Sequence, residues 1–126
     1  MATCVCMVEC WQGKTTHEEE LVAAWGKPPY TLKVHAGPRL GRYDWLDPDN
    51  RDHHDYLRGR LRARWVIVTL MLQPRTMAHA VVLVEATPHG FRYLDPAEPS
   101  EVLEISEDDF VQKWTGQVVI PDSRPD

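Results

Sequence analysis

Apolar residues in the first half of the chain recur at helical spacing, and helix-ending residues bound each group. Residues 2–12 contain few polar positions and stop at Gly13, a pattern that favours a buried helix over a strand. Residues 16–26 open with Thr16 and Glu19, which form a capping box ahead of an apolar stripe that ends at glycine. The pattern therefore predicts two helices at the amino-terminal end.

The middle of the chain loses this regularity. Residues 27–48 are rich in proline and scattered aromatics, which predicts mostly loop with a short extended piece at 30–34. Helical spacing returns over 49–62, where a third helix is predicted from the positions of His54, Leu57 and Leu61.

The second half is dominated by strand patterns. Near-continuous apolar runs are typical of strands buried on both faces, and a Pro-His-Gly turn separates two of the runs. A second capping signature at 106–109 opens a helix that runs through Trp114 and stops at Gly116. The predicted strands are 65–72, 80–84, 91–94 and 117–120.

The order of these elements predicts one α+β domain, with helices at the amino-terminal end followed by an antiparallel sheet. We place this domain at 1–120 and expect 121–126 to be a flexible carboxy-terminal tail. With 126 residues, of which 43% are hydrophobic, the chain is long enough for a single buried core. No apolar run approaches the roughly 20 residues of a membrane span, and no secretory signal is recognised. A cytoplasmic location is the default expectation.

Charge and cysteine content limit the possible partners. The net charge of −5 disfavours a nucleic-acid binder. The arginines of 58–64 lie beside several aspartates, so we interpret them as a solvated helix face rather than a phosphate-binding track. Three cysteines, an odd number, are typical of reduced thiols rather than of a disulfide framework.

His79 and Asp95 are the most informative residues for chemistry. His79 enters one predicted strand and Asp95 leaves the next, 16 positions later. In an antiparallel hairpin, both side chains reach one face if the turn holds an odd number of residues, but a bend or bulge is needed to bring them into contact. A histidine oriented by an acid is two-thirds of a nucleophilic triad. The alternative is a strand-end histidine and an unrelated Asp-Pro turn.

The chain resembles the papain-like cysteine peptidases of the compact bacterial kind, which include the double-glycine peptidase domains of bacteriocin exporters. The resemblance covers nearly the whole chain and implies that His79 is the general base and Asp95 the acid that orients it. It rests on Met7-Val8, Gly13-Lys14, Thr16–Gly26, His79-Ala80-Val81-Val82, Tyr93–Pro96, Ile105–Phe110 and Trp114–Gly116.

The resemblance also implies a nucleophilic thiol at the start of the first helix, where the helix dipole lowers the pKa of a thiol. Cys4 suits that place chemically. The aligned register, however, puts the nucleophile immediately before Met1, with Cys4 one helical turn further in, and the oxyanion-hole glutamine has no counterpart. Three explanations are open: a longer natural chain, a nucleophile shifted to Cys4, or a fold that has lost its chemistry.

Other chemistries receive less support. Cys4, Cys6, Cys10, His17, His53 and His54 include metal-ligand types, but the cysteine spacing is not that of common zinc sites, so no metal or cofactor is predicted. Core packing is the better interpretation of Cys6 and Cys10, and a loop or helix-surface position that of His35, His53 and His54. Phosphate-binding loops and serine-hydrolase elbows are absent from the sequence.

The leading hypothesis is a thiol hydrolase that acts on a peptide or protein substrate through Cys4, His79 and Asp95. Deamidation of a glutamine side chain on a partner protein uses the same groups. The alternative is a catalytically inactive papain-like module that binds a peptide or protein partner. No preference for an oligomeric state follows from the sequence.

Overall fold

The computed structural model describes residues 1–71 and 78–122. Five α-helices occur in these residues, together with a single π-helical turn at Leu32–Ala36 that leads directly into the third helix. The α-helices are α1 (Ala2–Trp11), α2 (Glu18–Trp25), α3 (Gly37–Leu40), α4 (Arg51–Leu61) and α5 (Glu107–Lys113). None of the helices in this described part is long and apolar enough to cross a membrane.

Six strands form one antiparallel sheet in the order β1-β6-β2-β3-β4-β5. The strands most enriched in valine, isoleucine and leucine lie in the middle, where both faces are covered. Their bounds are β1 (Gly41–Trp45), β2 (Val66–Met71), β3 (Ala78–Thr87), β4 (Gly90–Asp95), β5 (Glu98–Ser106) and β6 (Trp114–Pro121).

Each face of the sheet packs against helices, so the domain has two apolar layers. On one face, Cys4, Val5 and Val8 of α1 pack with Ala80 and Val82 of β3. On the other face, α4 and α5 pack against the alternate residues of β3 and against β4. The helices contribute Leu57, Leu61 and Phe110, and the strands contribute Val81, Leu83 and Phe91. Alternation along β3 thus serves both layers, which explains why residues 80–84 of this strand are all apolar.

The predicted α+β architecture, with amino-terminal helices and an antiparallel sheet, is confirmed. The predicted helix over 49–62 is α4, which begins after Asn50 because the side chain of Asn50 accepts a hydrogen bond from Asp52 N–H. Ser106 likewise caps α5 through Asp109 N–H.

Three local predictions are wrong. The extended piece at 30–34 is largely helical, because Thr31 caps a helical turn by accepting a hydrogen bond from Val34 N–H. Thr16 does not cap α2; its hydroxyl donates to Glu9 Oε1 at 2.6 Å, which ties the loop to α1. Trp114 begins a strand instead of ending a helix.

Two strands were not predicted from the sequence, and both lie at the edges of the sheet. β1 is short, and β5 carries a glutamate at every third position over 98–104. Charged residues on edge strands prevent pairing with other chains, but they also hide the strand pattern. At the carboxy-terminal end, β6 continues to Pro121, one residue beyond the predicted domain boundary, and residues 123–126 of the predicted tail lie outside the described residues.

Candidate active site

His79 and Asp95 are in direct contact. His79 Nε2 lies 2.6 Å from Asp95 Oδ1, and the two side chains are 33% and 16% exposed. Asp95 Oδ1 also accepts a hydrogen bond from Ala97 N–H at 2.9 Å, which fixes the carboxylate. A carboxylate accepts hydrogen bonds, so it selects the tautomer in which Nε2 carries the proton. Nδ1 is then the basic nitrogen of the ring.

A β-bulge aligns this pair. The turn between β3 and β4 has two residues, because Thr87 pairs with Gly90, and this register would place Asp95 opposite Val82. The register shifts between Leu83 and Glu85, after which Val82 pairs with Leu94.

Continued by one residue, the shifted register brings Asp95 opposite Val81. Val81 is two positions from His79 and therefore on the same face of β3. Val84 is the extra, unpaired residue of the bulge. Together with the two turn residues it makes an odd number of unpaired residues between the strands, and this odd number puts His79 and Asp95 on one face.

Cys4 lies near this pair but is directed elsewhere. Its side chain is fully buried, and its thiol donates a hydrogen bond to the carbonyl of Ala80 at 3.3 Å. Burial raises the pKa of the Cys4 thiol to about 12; the α-amino group of Met1 offsets part of this effect, and the carboxylate of Asp95 raises the pKa further. At neutral pH Cys4 is therefore a protonated thiol in the core.

His79 lines a cleft of about 370 Å³. Met1, the N-cap of α1, lines the same cleft, so the amino-terminal end of α1 opens towards His79. Apart from His79, the side chains of the cleft are uncharged. The residues of this His79 cleft are Met1, Pro28, Pro29, Tyr30, Thr31, Leu32, Thr69, Ala78, His79, Ala80 and Gln117.

One wall of the His79 cleft is held by a cluster of three rings. Trp25, Tyr30 and His35 meet edge to face, with centroids 5.1 to 5.3 Å apart. The hydroxyl of Tyr30 donates to Gly26 O at 2.6 Å, and Thr31 N–H donates to His35 Nδ1 at 2.9 Å. These contacts anchor 28–32 beside His79. Sequence reasoning did not find this wall, because it lies in the segment that was expected to be loop.

The remaining histidines and cysteines are dispersed. Among residues 1–71 and 78–122, no three His, Cys, Asp or Glu side chains are placed to hold a metal ion. His54 is buried rather than on the helix surface, and its Nε2 contacts Pro48 O. His53 Nδ1 accepts a hydrogen bond from Asp47 N–H at 2.8 Å. Cys10 is exposed, so the expectation of core packing is wrong for this residue, whereas Cys6 is half-buried.

No protein-family model and no curated protein matches the sequence. Among solved structures, the fold is similar to the crystal structure of the peptidase domain of Streptococcus ComA, described as a bi-functional ABC transporter involved in a quorum-sensing pathway. The TM-score is 0.68 at 22% sequence identity, over 97% of this chain and 88% of the other. The chain therefore has the compact papain-like fold of a bacterial peptidase domain.

Proposed function

We propose that the protein is a papain-type thiol hydrolase module that acts on a peptide or amide bond. His79 serves as its base and Asp95 as the acid that orients His79. Its nucleophile site is the amino-terminal end of α1, beside Met1, rather than Cys4. The observation that carries this proposal is the His79 cleft, which Met1 and His79 line together.

The chemistry follows from the tautomer of His79. Residues 1–126 carry no thiol beside Met1, so the step needs a cysteine supplied at that site. That cysteine gives its proton to His79 Nδ1, and the resulting thiolate attacks the carbonyl carbon of the substrate. The imidazolium, stabilised by Asp95 through Nε2–H, then gives that proton to the leaving amine as the C–N bond breaks. Water, activated by the same nitrogen, releases the acyl group and restores the thiol.

The two thiol positions differ in electrostatics. The first turn of α1 presents unpaired backbone N–H groups that favour a thiolate at its amino-terminal end. At Cys4 the raised pKa leaves on the order of one thiol in 10⁵ ionised at pH 7. We therefore replace the hypothesis that Cys4 is the nucleophile with one in which Cys4 packs the core.

A second candidate function is peptide binding without cleavage, carried out by residues 1–126 as they stand. The burial of Cys4 and its hydrogen bond to Ala80 O favour it, because they keep that thiol from His79 Nδ1. The cleft and the His79–Asp95 pair then provide the binding surface. Both candidates use the same cleft and differ only in the residue beside Met1.

The two candidates separate when a thiol is supplied. In the cysteine variant, Gly-Ser-Cys precedes Met1; the matched control carries Gly-Ser-Ser, and a third protein combines the cysteine variant with His79→Ala. Iodoacetamide labelling at pH 6, mapped by mass spectrometry, reports thiolate formation at each cysteine. Cleavage of a mixture of unstructured peptides reports hydrolysis.

We expect the added cysteine to be labelled faster than the exposed Cys10, and this advantage to disappear with His79→Ala. Peptide cleavage is expected in the cysteine variant but not in the serine control. Rapid labelling of Cys4 would restore Cys4 as nucleophile. Labelling of the added cysteine at the rate of Cys10 would overturn the assignment of the nucleophile site.

A further inference from the structure

The floor of the His79 cleft contains a glutamine at a position that no motif of the sequence singles out. Gln117 lies on β6, far from His79 along the chain, yet both side chains line the cleft. β6 pairs with β2, and β2 pairs with β3, so the strands of the two residues are separated by one strand of the sheet. β6 lies between β1 and β2, and Gln117 pairs with Trp45 of β1.

The backbone of Gln117 is fixed at both ends. Its N–H donates to Thr115 Oγ1 at 3.2 Å, and its carbonyl accepts a hydrogen bond from the indole of Trp114 at 2.9 Å. Gly116 has a φ of 96°, a conformation that glycine adopts readily. This conformation turns the chain so that Trp114 and Thr115 both contact the backbone of Gln117. The side chain therefore leaves the strand in a defined direction.

Tyr43 orients the amide group. In the β1–β6 pairing, Tyr43 faces Val119 and Trp45 faces Gln117, so Tyr43 and Gln117 are diagonal neighbours on one face. The hydroxyl of Tyr43 donates to Gln117 Oε1 at 3.4 Å. Burial raises the pKa of Tyr43, which keeps its hydroxyl protonated and able to donate. With Oε1 engaged, the Nε2 end of Gln117 is its donor group.

Other polar side chains of the cleft are committed to the fold. His79 binds Asp95, the Thr69 hydroxyl pairs with that of Thr115, and the Thr31 hydroxyl accepts from the backbone of the π-helical turn. Gln117 differs from these residues because its contact with Tyr43 uses the acceptor atom Oε1, so the donor group Nε2 is left for a ligand. Apart from His79 and the α-amino group of Met1, the cleft offers a peptide only neutral groups. The peptide requires donors for its carbonyl groups, since an unpaired buried carbonyl costs free energy.

We propose that Gln117 is a substrate-binding residue that donates a hydrogen bond from Nε2 to a carbonyl oxygen of a peptide in the His79 cleft, with Tyr43 as its positioning residue. This inference rests on the proposed function of the cleft. Gln117 supplies a side-chain amide donor from β6, a place unrelated to that of the upstream glutamine that the resemblance implies.

The test measures binding and needs no catalysis. Residues 1–126, labelled with ¹⁵N, are titrated with acetyl-Leu-Ala-Leu-Ala-amide, an uncharged apolar peptide matched to the cleft lining. We expect the side-chain NH₂ signals of Gln117 to shift and saturate, while those of the exposed Gln112 on α5 do not.

Substitutions then separate recognition from folding. Gln117→Glu and Gln117→Met keep the size of the side chain but remove the donor, and each is expected to weaken peptide binding by about three- to tenfold, the factor of one neutral hydrogen bond. Tyr43→Phe is expected to weaken it less. Gln112→Glu changes the charge equally at an exposed site and is expected to leave binding unchanged. Thermal midpoints are compared to confirm that every variant folds.

The outcomes distinguish this inference from the proposed hydrolysis. Gln117-dependent peptide binding together with an inert cysteine variant would leave Gln117 in place and remove the hydrolase. Unshifted Gln117 signals, or equal affinities for the parent and the folded Gln117→Glu and Gln117→Met variants, would overturn the inference even if the cysteine variant cleaves peptides.

Discussion

His79 Nε2 and Asp95 Oδ1 are hydrogen-bonded at 2.6 Å across a hairpin whose register changes between them. The same Oδ1 accepts from Ala97 N–H, so the acid is anchored to the chain that leaves β4. A base that is held by an anchored acid keeps one tautomer and one ring orientation, and this is the property that proton transfer requires.

The first prediction concerns this pair in the cysteine variant that carries Gly-Ser-Cys before Met1. Asp95→Asn keeps the size of the side chain but removes the negative charge that stabilises the imidazolium. An amide can face His79 with its oxygen or with its NH₂ group, so a single tautomer is no longer selected. We expect the first-order rate of peptide cleavage to fall by about two to four orders of magnitude. Asp108→Asn, at an exposed position of α5, is the control and should leave the rate unchanged. A fall of less than threefold for Asp95→Asn would exclude an orienting role.

The second prediction follows from the buried thiol of Cys4. Its pKa is raised from 9.0 to about 12 in the folded state, so the folded protein holds this proton more tightly than the unfolded chain. The resulting stability is fully present below pH 9 and is lost as the pH rises from 9 towards 12, by up to about 4 kcal/mol.

Denaturant titrations between pH 7 and pH 11 measure this loss. Cys4→Ala is expected to be less stable near neutrality, because it leaves a small cavity, yet to lose less stability above pH 9. Parallel curves for the two proteins at alkaline pH would show that Cys4 ionises as easily in the folded protein as in the unfolded chain.

The third prediction concerns Glu9, a buried carboxylate of α1. Burial alone raises its pKa, but hydrogen bonds from Arg39 and Thr16 outweigh this effect and lower the pKa below 4.5. A lowered pKa contributes stability above pH 4.5 that is lost as the pH falls through the folded value. Removal of Arg39 leaves the buried carboxylate of Glu9 without its charged partner.

Because the side chain of Arg39 is itself 41% exposed, we expect Arg39→Met to cost about 1.5 to 3 kcal/mol of the free energy of unfolding at pH 7, measured by urea titration. Arg42→Met is the control, since Arg42 pairs with Asp44 at the surface and its side chain is 70% exposed. That change is expected to cost at most about 1 kcal/mol. Equal costs for the two variants would contradict the buried role of Glu9.

The fourth prediction compares two glycines. A Cβ at Gly90 would lie 2.0 Å from Ile105 O on the neighbouring strand, so Gly90→Ala forces β4 away from β5. Gly59 lies on the exposed side of α4, with no atom near an added Cβ. Thermal unfolding is expected to show a large loss for Gly90→Ala, beyond about 3 kcal/mol, and a gain of about 0.5 to 1 kcal/mol for Gly59→Ala. Similar midpoints for both variants would contradict the close strand approach.

The sequence predicted the middle of the fold well, because β2 and β3 are buried on both faces and their apolar runs report it directly. The helix α4 was predicted from the helical spacing of its buried residues, and α5 from the capping signature that begins at Ser106; both signals are local. The edge strands β1 and β5 were missed because only one side of each is paired and the other is solvated. Burial, and with it the periodic signal, is weaker at an edge.

The functional residues divide in the same way. The sequence by itself determined that a histidine lies at the start of one strand and an aspartate at the end of the next, since strand pattern and turn chemistry are local properties. The tertiary structure decided the rest. The bulge at Val84 aligns His79 with Asp95, the packing of α1 buries Cys4 and raises its pKa, and the β1–β6 register orients Gln117 towards the cleft. Each of these depends on contacts between residues far apart in the chain, and such contacts leave no periodic trace in one sequence.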